Sequence, residues 1–467
     1  MNRYAVIFLI LCTMVSAFLM NAINGISAST TFEKEIAAGY DGSGNGYIAT
    51  ALRLLEAGEF SDETHSFFGA VPTGPVYAIF IAGAFLLFGK SLWAIWILQM
   101  IAFALAVILL YKFSSYFFTG MWAIAPAFLF ALFWGASLFV FHLNNEIIGL
   151  LCVTGFMVAM FYYAETSRIR HLLTAALCVS LLILIKPIFE YFIVPMLVVV
   201  AWSALYRSRA YTQAARHAGV FLGVCVLLVG TWHVRNYRVL DSYTVSTGGH
   251  AFLIRATSAT YPQDTMTGFF LSTMLGDLIA GEVVPGYAER AEPANTIREI
   301  FNKRRVEMKA AGLSEVDVDK IFWAEAVDIA RTHPTALVLT TPAWLFRLNS
   351  PPRHDGGMLE HLFVGTYPGM PLWLKIAIIL GIRTVWYGFI AIALWWIFRE
   401  MVRCGDYVQS VVFWSIGLLV LYTNALYAGF AHAEVRYALP LMPIYIFFFV
   451  LGLHDLWISR TKKPIMN

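Results

Sequence analysis

Long apolar runs recur along most of this 467-residue chain and are separated by polar segments, most of them short. A helix needs roughly 20 mainly apolar residues to cross the hydrocarbon core of a bilayer, and we interpret ten runs as membrane-spanning helices. They lie near residues 4–26, 91–111, 121–141, 147–164, 172–186, 190–206, 218–234, 380–398, 408–428 and 440–458. The pattern predicts an all-α polytopic membrane protein with about ten transmembrane helices.

The first run is followed by Ser27, Ala28 and Ser29, small residues of the kind found at signal-peptide cleavage sites. Because the run is long enough to span a bilayer, we interpret it as an uncleaved anchor.

A further apolar run, residues 75–88, is too short for a typical span and is more typical of an interfacial segment. If it stays at the outer surface and the N-terminus is cytoplasmic, nearly every short basic loop is also cytoplasmic, as the positive-inside rule requires. The basic residues in question are Arg168, Arg170, Arg207, Arg209, Arg216, Arg399, Arg403, Arg460, Lys462 and Lys463. If residues 75–88 cross the membrane instead, every later loop changes sides and the basic loops face outward. We therefore expect an inner (plasma) membrane protein with both termini cytoplasmic and its active site extracytoplasmic.

Two large outer segments follow from this topology, residues 27–90 and residues from 235 to about 384. Residues 46–57 of the first read as a short amphipathic helix that Gly58 ends. The second contains a predicted helix at 314–331 and suggests a small, mainly helical extracytoplasmic subdomain.

Residues 335–348 and 371–382 of this second segment are rich in Trp and Leu, which is typical of helices lying at the interface. The expected organisation has three parts. They are a transmembrane catalytic module at 1–234 with its first outer loop at 27–90, the outer subdomain at 235–384, and C-terminal transmembrane helices at 385–467.

Composition agrees with this picture, because 59% of residues are apolar and only 13% are charged, against about a quarter charged in a soluble domain. No basic block is dense enough to indicate nucleic-acid binding. The five cysteines suggest no disulfide framework, and neither CxxC nor HExxH occurs, so a zinc site of standard spacing is unsupported.

The first outer loop carries Asp41 within a glycine-rich stretch, residues 39–46. Such glycines let a backbone approach a ligand closely, and a carboxylate there can deprotonate an acceptor hydroxyl. A solvated turn whose Asp caps the next helix explains the same residues. The composition of the loop leaves both readings open.

Further polar residues gather at the predicted outer ends of the spans. Glu146 either caps its own helix or serves a functional site between helices. Lys186, Arg235 and Arg436 are cations on the side where positive charge is disfavoured. Together they suit an anion site, and a lipid phosphate is the natural anion at that depth.

Five motifs in this order resemble the bacterial GT-C glycosyltransferases, the superfamily of protein O-mannosyltransferases and aminoarabinose transferases. The motifs are Tyr40-Asp41 with a following Gly-Tyr-Ile-Ala helix, residues 72–77 (PTGPVY), residues 87–91 (LFGKS), residues 232–237 (WHVRNY) with 246–249 (STGG), and residues 434–440 (EVRYALP).

The resemblance implies an inverting transfer of a sugar from a polyprenyl-phosphate-linked donor at the outer face. It implies Asp41 as general base and Glu146 as the second acidic position. Lys186, Arg235, Arg436, Tyr437 and Tyr40 become candidates for binding the donor and its lipid phosphate. Some relatives use a divalent metal, for which Asp41, His65 and Glu146 are the candidate ligands. The chain departs from the family in having Gly42 after Asp41 and in lacking an Arg at 96–99.

The implied partners are the lipid-linked sugar donor, membrane lipids, and an acceptor that is a lipid, a glycan or a protein hydroxyl. Residues 260–330 are expected to help choose the acceptor. The absence of a Rossmann or P-loop signature agrees with a donor that is not a nucleotide.

Three other classes fit parts of the pattern. A transporter or flippase would carry charges at the membrane midplane and broken helices there. A lipid-linked glycan ligase or polymerase would rely on outer Arg and His without an early Asp loop. A membrane scaffold would give the glycines of the first loop no purpose.

Overall fold

A computed structural model describes residues 2–23, 46–60, 74–287, 293–351, 369–403 and 405–461, and every regular element within these ranges is helical. The first part contains α1 (Arg3–Ile23), α2 (Tyr47–Ala57), α3 (Val76–Phe88), α4 (Leu92–Ser114), α5 (Met121–Ala131), α6 (Trp134–Phe139), α7 (Glu146–Thr166), α8 (Ile169–Ile185), α9 (Ile193–Ser208) and α10 (Tyr211–Leu240). The rest contains α11 (Gly249–Thr257), α12 (Gln263–Leu275), α13 (Asp277–Val283), α14 (Pro293–Ala310), α15 (Glu315–Thr332), α16 (Pro334–Leu348), α17 (Leu372–Val402), α18 (Tyr407–Phe430) and α19 (Met442–Thr461). Short 3-10 helices cover Pro187–Phe192, Ser258–Thr260 and Val435–Leu441.

Eight helical stretches in the described part of the chain are long and apolar enough to cross a membrane. They are Arg3–Ile23, Leu92–Ser114, Glu146–Thr166, Pro187–Ser208, Tyr211–Leu240, Leu372–Val402, Tyr407–Phe430 and Val435–Ile458. Shorter apolar helices cover Val76–Phe88, Met121–Ala131 and Ile169–Ile185. The predicted all-α polytopic membrane fold is confirmed.

Two boundaries predicted from the sequence were wrong. The run 121–141 is two helices, because Phe133 adopts an extended backbone with ψ 106° between α5 and α6 and stacks on Trp386. The interfacial helix predicted at 371–382 is the first part of α17, since no proline interrupts the hydrogen-bonded chain after Pro371. At 31 residues α17 is about 46 Å long, well over the thickness of a bilayer core.

The spans share one continuous hydrophobic core. Helix α7 is the most buried of these stretches, since 78% of its most apolar 18 residues are buried. The corresponding share in α10 is only 22%. Glu146, the first residue of α7, is itself only 2% exposed.

The short helices α2 and α3 run side by side and pack against the bundle. Tyr47 and Tyr77 meet edge to face at the start of both helices, and Lys90 pairs with Glu56 where both end. Gly74 lies so close to the carbonyl oxygen of Leu184 that a Cβ atom there would be 1.9 Å from it. The backbone before α3 is thus fixed against the end of α8.

The chain between α10 and α17 forms a small helical unit with its own hydrophobic cluster. Its buried members come from α11 and α15 and are Phe252, Leu253, Ala256, Val318, Phe322 and Ala326. The predicted helix at 314–331 is observed as α15, whose N-cap Ser314 accepts from the backbone N–H of Asp317.

Helix α16 connects this unit to the membrane bundle. Its Trp344 and Leu348 are fully buried. Beyond its end, Asn349 Nδ2 donates to Asn424 Oδ1 (2.7 Å), Asn424 Nδ2 donates to the Tyr445 hydroxyl (2.9 Å), and that hydroxyl donates to Asn349 Oδ1 (3.1 Å). This closed ring of three hydrogen bonds ties α16 to α18 and α19.

Candidate functional site

Four of the residues proposed from the sequence come together at one mouth of the bundle. Glu146 is the first residue of α7, and Lys186 has an extended backbone immediately after α8. Arg436 and Tyr437 belong to the 3-10 helix Val435–Leu441, which precedes α19. Pro187 follows Lys186 directly and stops α8 there, since a proline cannot continue the hydrogen bonding of the helix.

Glu146 and Lys186 form a buried ion pair. Lys186 Nζ donates to Glu146 Oε1 at 3.1 Å, and the two side chains are only 6% and 2% exposed, in the order Lys186 and Glu146. Lys186 Nζ also lies 5.1 Å from the centre of the Tyr437 ring. The second carboxylate oxygen, Glu146 Oε2, is buried and has no hydrogen-bond partner within the described residues. Buried polar atoms are normally satisfied, so this oxygen marks a position open to a donor group.

Arg436 lies beside this pair with its own carboxylate. Its Nε is 2.7 Å from Glu434 Oε2, and its Nη1 is 3.4 Å from Asn144 Oδ1. The guanidinium lies 5.4 Å from the centre of the Tyr437 ring, which stacks on Tyr427 with 4.8 Å between ring centres. Lys186 and Arg436 therefore lie on the same aromatic ring, each with one carboxylate.

Helices α2 and α3, from the predicted first outer loop, contact the same mouth of the bundle. Asn145 Nδ2 donates to the Tyr47 hydroxyl at 3.1 Å and to the carbonyl of Ile185 at 3.0 Å. The Tyr77 hydroxyl donates to Gln99 Oε1 at 2.9 Å. The amide of Gln99 in turn donates to the carbonyls of Val140 and His142, at 2.7 and 3.0 Å. Helices α2 and α3 are thus held against the turn that precedes Glu146.

Arg235 lies in a different set of contacts. Its guanidinium donates to the carbonyl of Phe60 and to Asn236 Oδ1, and it lies 5.0 Å from the centre of the Trp232 ring. The neighbouring His233 contacts Glu190 through Nε2 at 2.9 Å. The structure thus groups Arg235 with Phe60, which follows α2, rather than with Lys186 and Arg436.

Tyr40, Asp41 and His65 lie outside the described residues. Among the described residues no group of three or more His, Cys, Asp and Glu is placed to hold a metal ion. Glu146, the third candidate ligand, has the ammonium of Lys186 at 3.1 Å, and a cation at that distance opposes a divalent ion on the same carboxylate. The described part of this site does not suit a metal.

For several residues of this site, the sequence predicted no individual role. Glu434 lies inside a quoted motif but was given no role, and Asn144 and Asn145 are adjacent to Glu146. Tyr427 carried no signal that distinguishes it from other aromatic residues at the ends of helices. Only the fold brings it onto the Tyr437 ring.

The family model described as dolichyl-phosphate-mannose-protein mannosyltransferase matches residues 71–232. The segment includes Glu146 and Lys186 and ends before Arg235 and Arg436. The resemblance to GT-C glycosyltransferases is confirmed for this segment. A search of curated protein sequences finds no match.

Solved structures of two kinds of protein are similar in outline. The oligosaccharyltransferase AglB of Archaeoglobus fulgidus, in complex with an inhibitory peptide and a dolichol-phosphate, is 13% identical with a TM-score of 0.48, and the match covers 100% of this chain and 53% of AglB. The same archaeal enzyme in complex with zinc and sulfate is 12% identical with a TM-score of 0.48, over 96% of this chain and 49% of the other. ArnT of Cupriavidus metallidurans, bound to undecaprenyl phosphate, is 12% identical with a TM-score of 0.37, over 100% of this chain and 82% of ArnT. The chain spans about half the length of the archaeal enzyme.

Proposed function

We propose that this protein is a membrane glycosyltransferase that moves a sugar from a polyprenyl-phosphate donor to a hydroxyl of a lipid, glycan or protein acceptor at the extracytoplasmic face. The observation that carries the proposal is the buried group of Glu146, Lys186 and Arg436 at one mouth of a bundle of membrane helices. The family match over residues 71–232, which contains the first two of these residues, supports the same chemistry.

The arrangement suits the leaving group of such a transfer. The acceptor oxygen attacks the anomeric carbon, the bond from that carbon to the phosphate oxygen breaks, and the acceptor proton passes to a carboxylate. Lys186 and Arg436 stabilise the departing phosphate, because cations placed in a partly buried site need little reorganisation as charge develops. We assign Asp41 as the proton acceptor, because it matches the family motif. The transfer then inverts the configuration at the anomeric carbon.

Glu146 then keeps Lys186 in place. A buried ammonium without a counter-charge would be costly, and its pairing with Glu146 Oε1 holds Nζ over the Tyr437 ring. Arg235 and Tyr40 stay in the proposal as donor-binding residues, as the family motifs imply. Arg235 also bonds the carbonyl of Phe60, which follows α2 in the first outer loop.

The test is a transfer assay with purified protein and a panel of polyprenyl-phosphate sugars, comparing wild type with Asp41→Asn and Lys186→Met. We expect wild type to consume one donor of the panel. Asp41→Asn should lower kcat by about 10²-fold or more, since a general base typically contributes that much. Lys186→Met should raise KM for the donor.

Glu56→Gln is the matched control, because Glu56 is an exposed acid of the first outer loop that pairs with Lys90. It should leave both constants unchanged. Full activity in Asp41→Asn would contradict the assignment of the base. A wild-type protein that consumes no polyprenyl-phosphate sugar would contradict the proposed function itself.

A further inference from the structure

The loop between the last two spans, residues 431–434, is held largely by other parts of the chain. The backbone N–H of His432 donates to the carbonyl of Ala251 in α11 at 3.2 Å. The carbonyl of Ala433 accepts from Arg347 Nε in α16 at 2.8 Å. Ala433 is fully buried. Two outer helices therefore fix the backbone immediately before Glu434 and Arg436.

Arg347 is itself rigidly placed. Its guanidinium lies 5.7 Å from the centre of the buried Trp344 ring, and the indole N–H of Trp344 donates to Ser258 Oγ at 3.0 Å. Two residues further on, Asn349 belongs to the hydrogen-bonded ring with Asn424 and Tyr445. The end of α16 is thus anchored both to the small helical unit between α10 and α17, called the outer unit below, and to the membrane bundle.

Arg347 also acts on the loop through its charge. Burial lowers the pKa of its guanidinium, and the carboxylates of Glu434 and Asp277 oppose that shift by attraction. Glu434 meanwhile forms the ion pair with Arg436. The carboxylate that orients Arg436 therefore faces a second arginine, which comes from the outer unit.

We propose that Arg347 is a positioning residue that sets the place of Arg436 in the donor-phosphate site, so that the outer unit forms part of that site. Arg347 acts through the carbonyl of Ala433 and the carboxylate of Glu434 and does not itself contact the donor. The inference rests on the proposed function, because it assigns Arg436 to the phosphate of a polyprenyl donor.

The experiment measures the Kd of the purified full chain for undecaprenyl phosphate by tryptophan fluorescence, with undecaprenol as the uncharged comparison. Arg347→Gln should weaken binding about tenfold, the size of one lost hydrogen bond to a buried group. Arg347→Lys keeps the charge and a donor, so it should recover most of the affinity. Arg304→Gln is the matched control, because Arg304 lies in the same outer unit and pairs with Glu325 instead.

A purely structural arginine would also destabilise the protein, so the decisive readout is a double-mutant cycle. If Arg347 acts through Arg436, then adding Arg347→Gln to Arg436→Gln should change the Kd by less than about twofold. If Arg347→Gln does not fold, Arg347→Lys replaces it in the cycle. Its smaller change in Kd should likewise disappear when it is combined with Arg436→Gln.

An unchanged Kd in Arg347→Gln, or independent effects that multiply in the double variant, would overturn the role of Arg347 and leave the proposed function standing. A wild-type protein that binds undecaprenyl phosphate no better than undecaprenol would overturn both. Weaker binding that Arg347→Lys restores and that disappears beside Arg436→Gln supports the inference.

Discussion

The two ion pairs formed by Lys186 with Glu146 and by Lys90 with Glu56 differ mainly in burial. The first is almost fully buried, whereas the side chains of the second are 49% and 63% exposed, in the order Lys90 and Glu56. Removing one partner of a buried pair leaves a charge without compensation, which costs about 3–5 kcal/mol. An exposed pair contributes about 0–1 kcal/mol.

We therefore expect Lys186→Met to lower the stability of the purified protein strongly, while Lys90→Met changes it little. The double variant Glu146→Gln with Lys186→Met should recover much of the loss, since it removes both charges together. Thermal unfolding in detergent measures all three. Equal effects of Lys186→Met and Lys90→Met would show that the buried pair is hydrated and carries no such cost.

Asp319 gives a pH dependence to the outer unit. Burial raises the pKa of its carboxyl, and the backbone N–H groups of Gly249 and Gly248 partly oppose the shift. Between the ordinary Asp pKa of about 4 and the raised value, the folded protein binds more protons than the unfolded chain. The stability that this group contributes is complete below the ordinary pKa and is lost as pH rises through the raised one.

Asp319→Asn keeps an oxygen that can accept from Gly249 but cannot titrate. Its unfolding free energy should fall less steeply than that of wild type as pH rises above 4. Chemical denaturation across a pH series tests this, with Asp328→Asn, on the same helix, as the control. Parallel curves for wild type and Asp319→Asn would show that the carboxyl titrates normally.

At the scale of elements, the approach of Gly74 to α8 fixes how α3 begins. A Cβ atom at Gly74 would overlap the carbonyl oxygen of Leu184, whereas a Cβ at Gly83, within α3 itself, meets nothing within 4 Å. Gly74→Ala should destabilise the protein by about 1–3 kcal/mol, as overpacking does. It should also lower activity, because Leu184 lies two residues before Lys186.

Gly83→Ala should be neutral or slightly stabilising, since alanine favours a helix over glycine. Thermal unfolding and the transfer assay on both variants measure the contrast. Similar results for the two alanines would mean that the chain before α3 moves aside without cost.

The helices were largely predictable, and their joints were not. Long apolar runs predict helices from local composition alone, and each of the ten predicted spans overlaps an observed helix. The break at Phe133 and the continuity of α17 were missed because they depend on packing and on the absence of a stop signal. Neither property can be read from the positions of apolar residues alone.

The candidate site was likewise predictable only in part. Glu146, Lys186 and Arg436 stand out in the sequence as charges at the ends of apolar runs, and the structure brings them together. Arg235 has the same signal, but it bonds Phe60 elsewhere. Arg347 looks like any arginine at the end of an outer helix. Charge at a helix end predicts depth in the membrane, but lateral position depends on which helices pack together.

For the whole molecule, the topology depends on whether α3 crosses the membrane. Helix α3 follows α2 from Tyr47 to Glu56, and its far end at Lys90 pairs with that same helix. At 11 and 13 residues, both helices are too short to span the hydrocarbon core of a bilayer. The pair therefore suits a segment that stays on one side of the membrane, as the charge distribution predicts for residues 75–88.

A single cysteine at Lys90, in a variant whose five native cysteines are replaced, should react with a membrane-impermeant maleimide added outside intact cells. A cysteine at Arg209 should react only after the membrane is opened, because Arg209 belongs to a predicted cytoplasmic loop. Labelling of the Lys90 position from the inside alone would invert the topology and move the proposed site to the cytoplasmic face.

The separate pairing of the two cations has a consequence for how the protein is made. Glu146 and Lys186 lie on the consecutive helices α7 and α8, and Arg436 has Glu434 only two residues away. Each cation can therefore be neutralised by a carboxylate that leaves the ribosome close to it in time. The helical hairpin α7–α8 can enter the bilayer before the last spans are synthesised, without carrying a lone charge into the hydrocarbon. During membrane insertion, Lys186 therefore needs no counter-charge from the C-terminal spans.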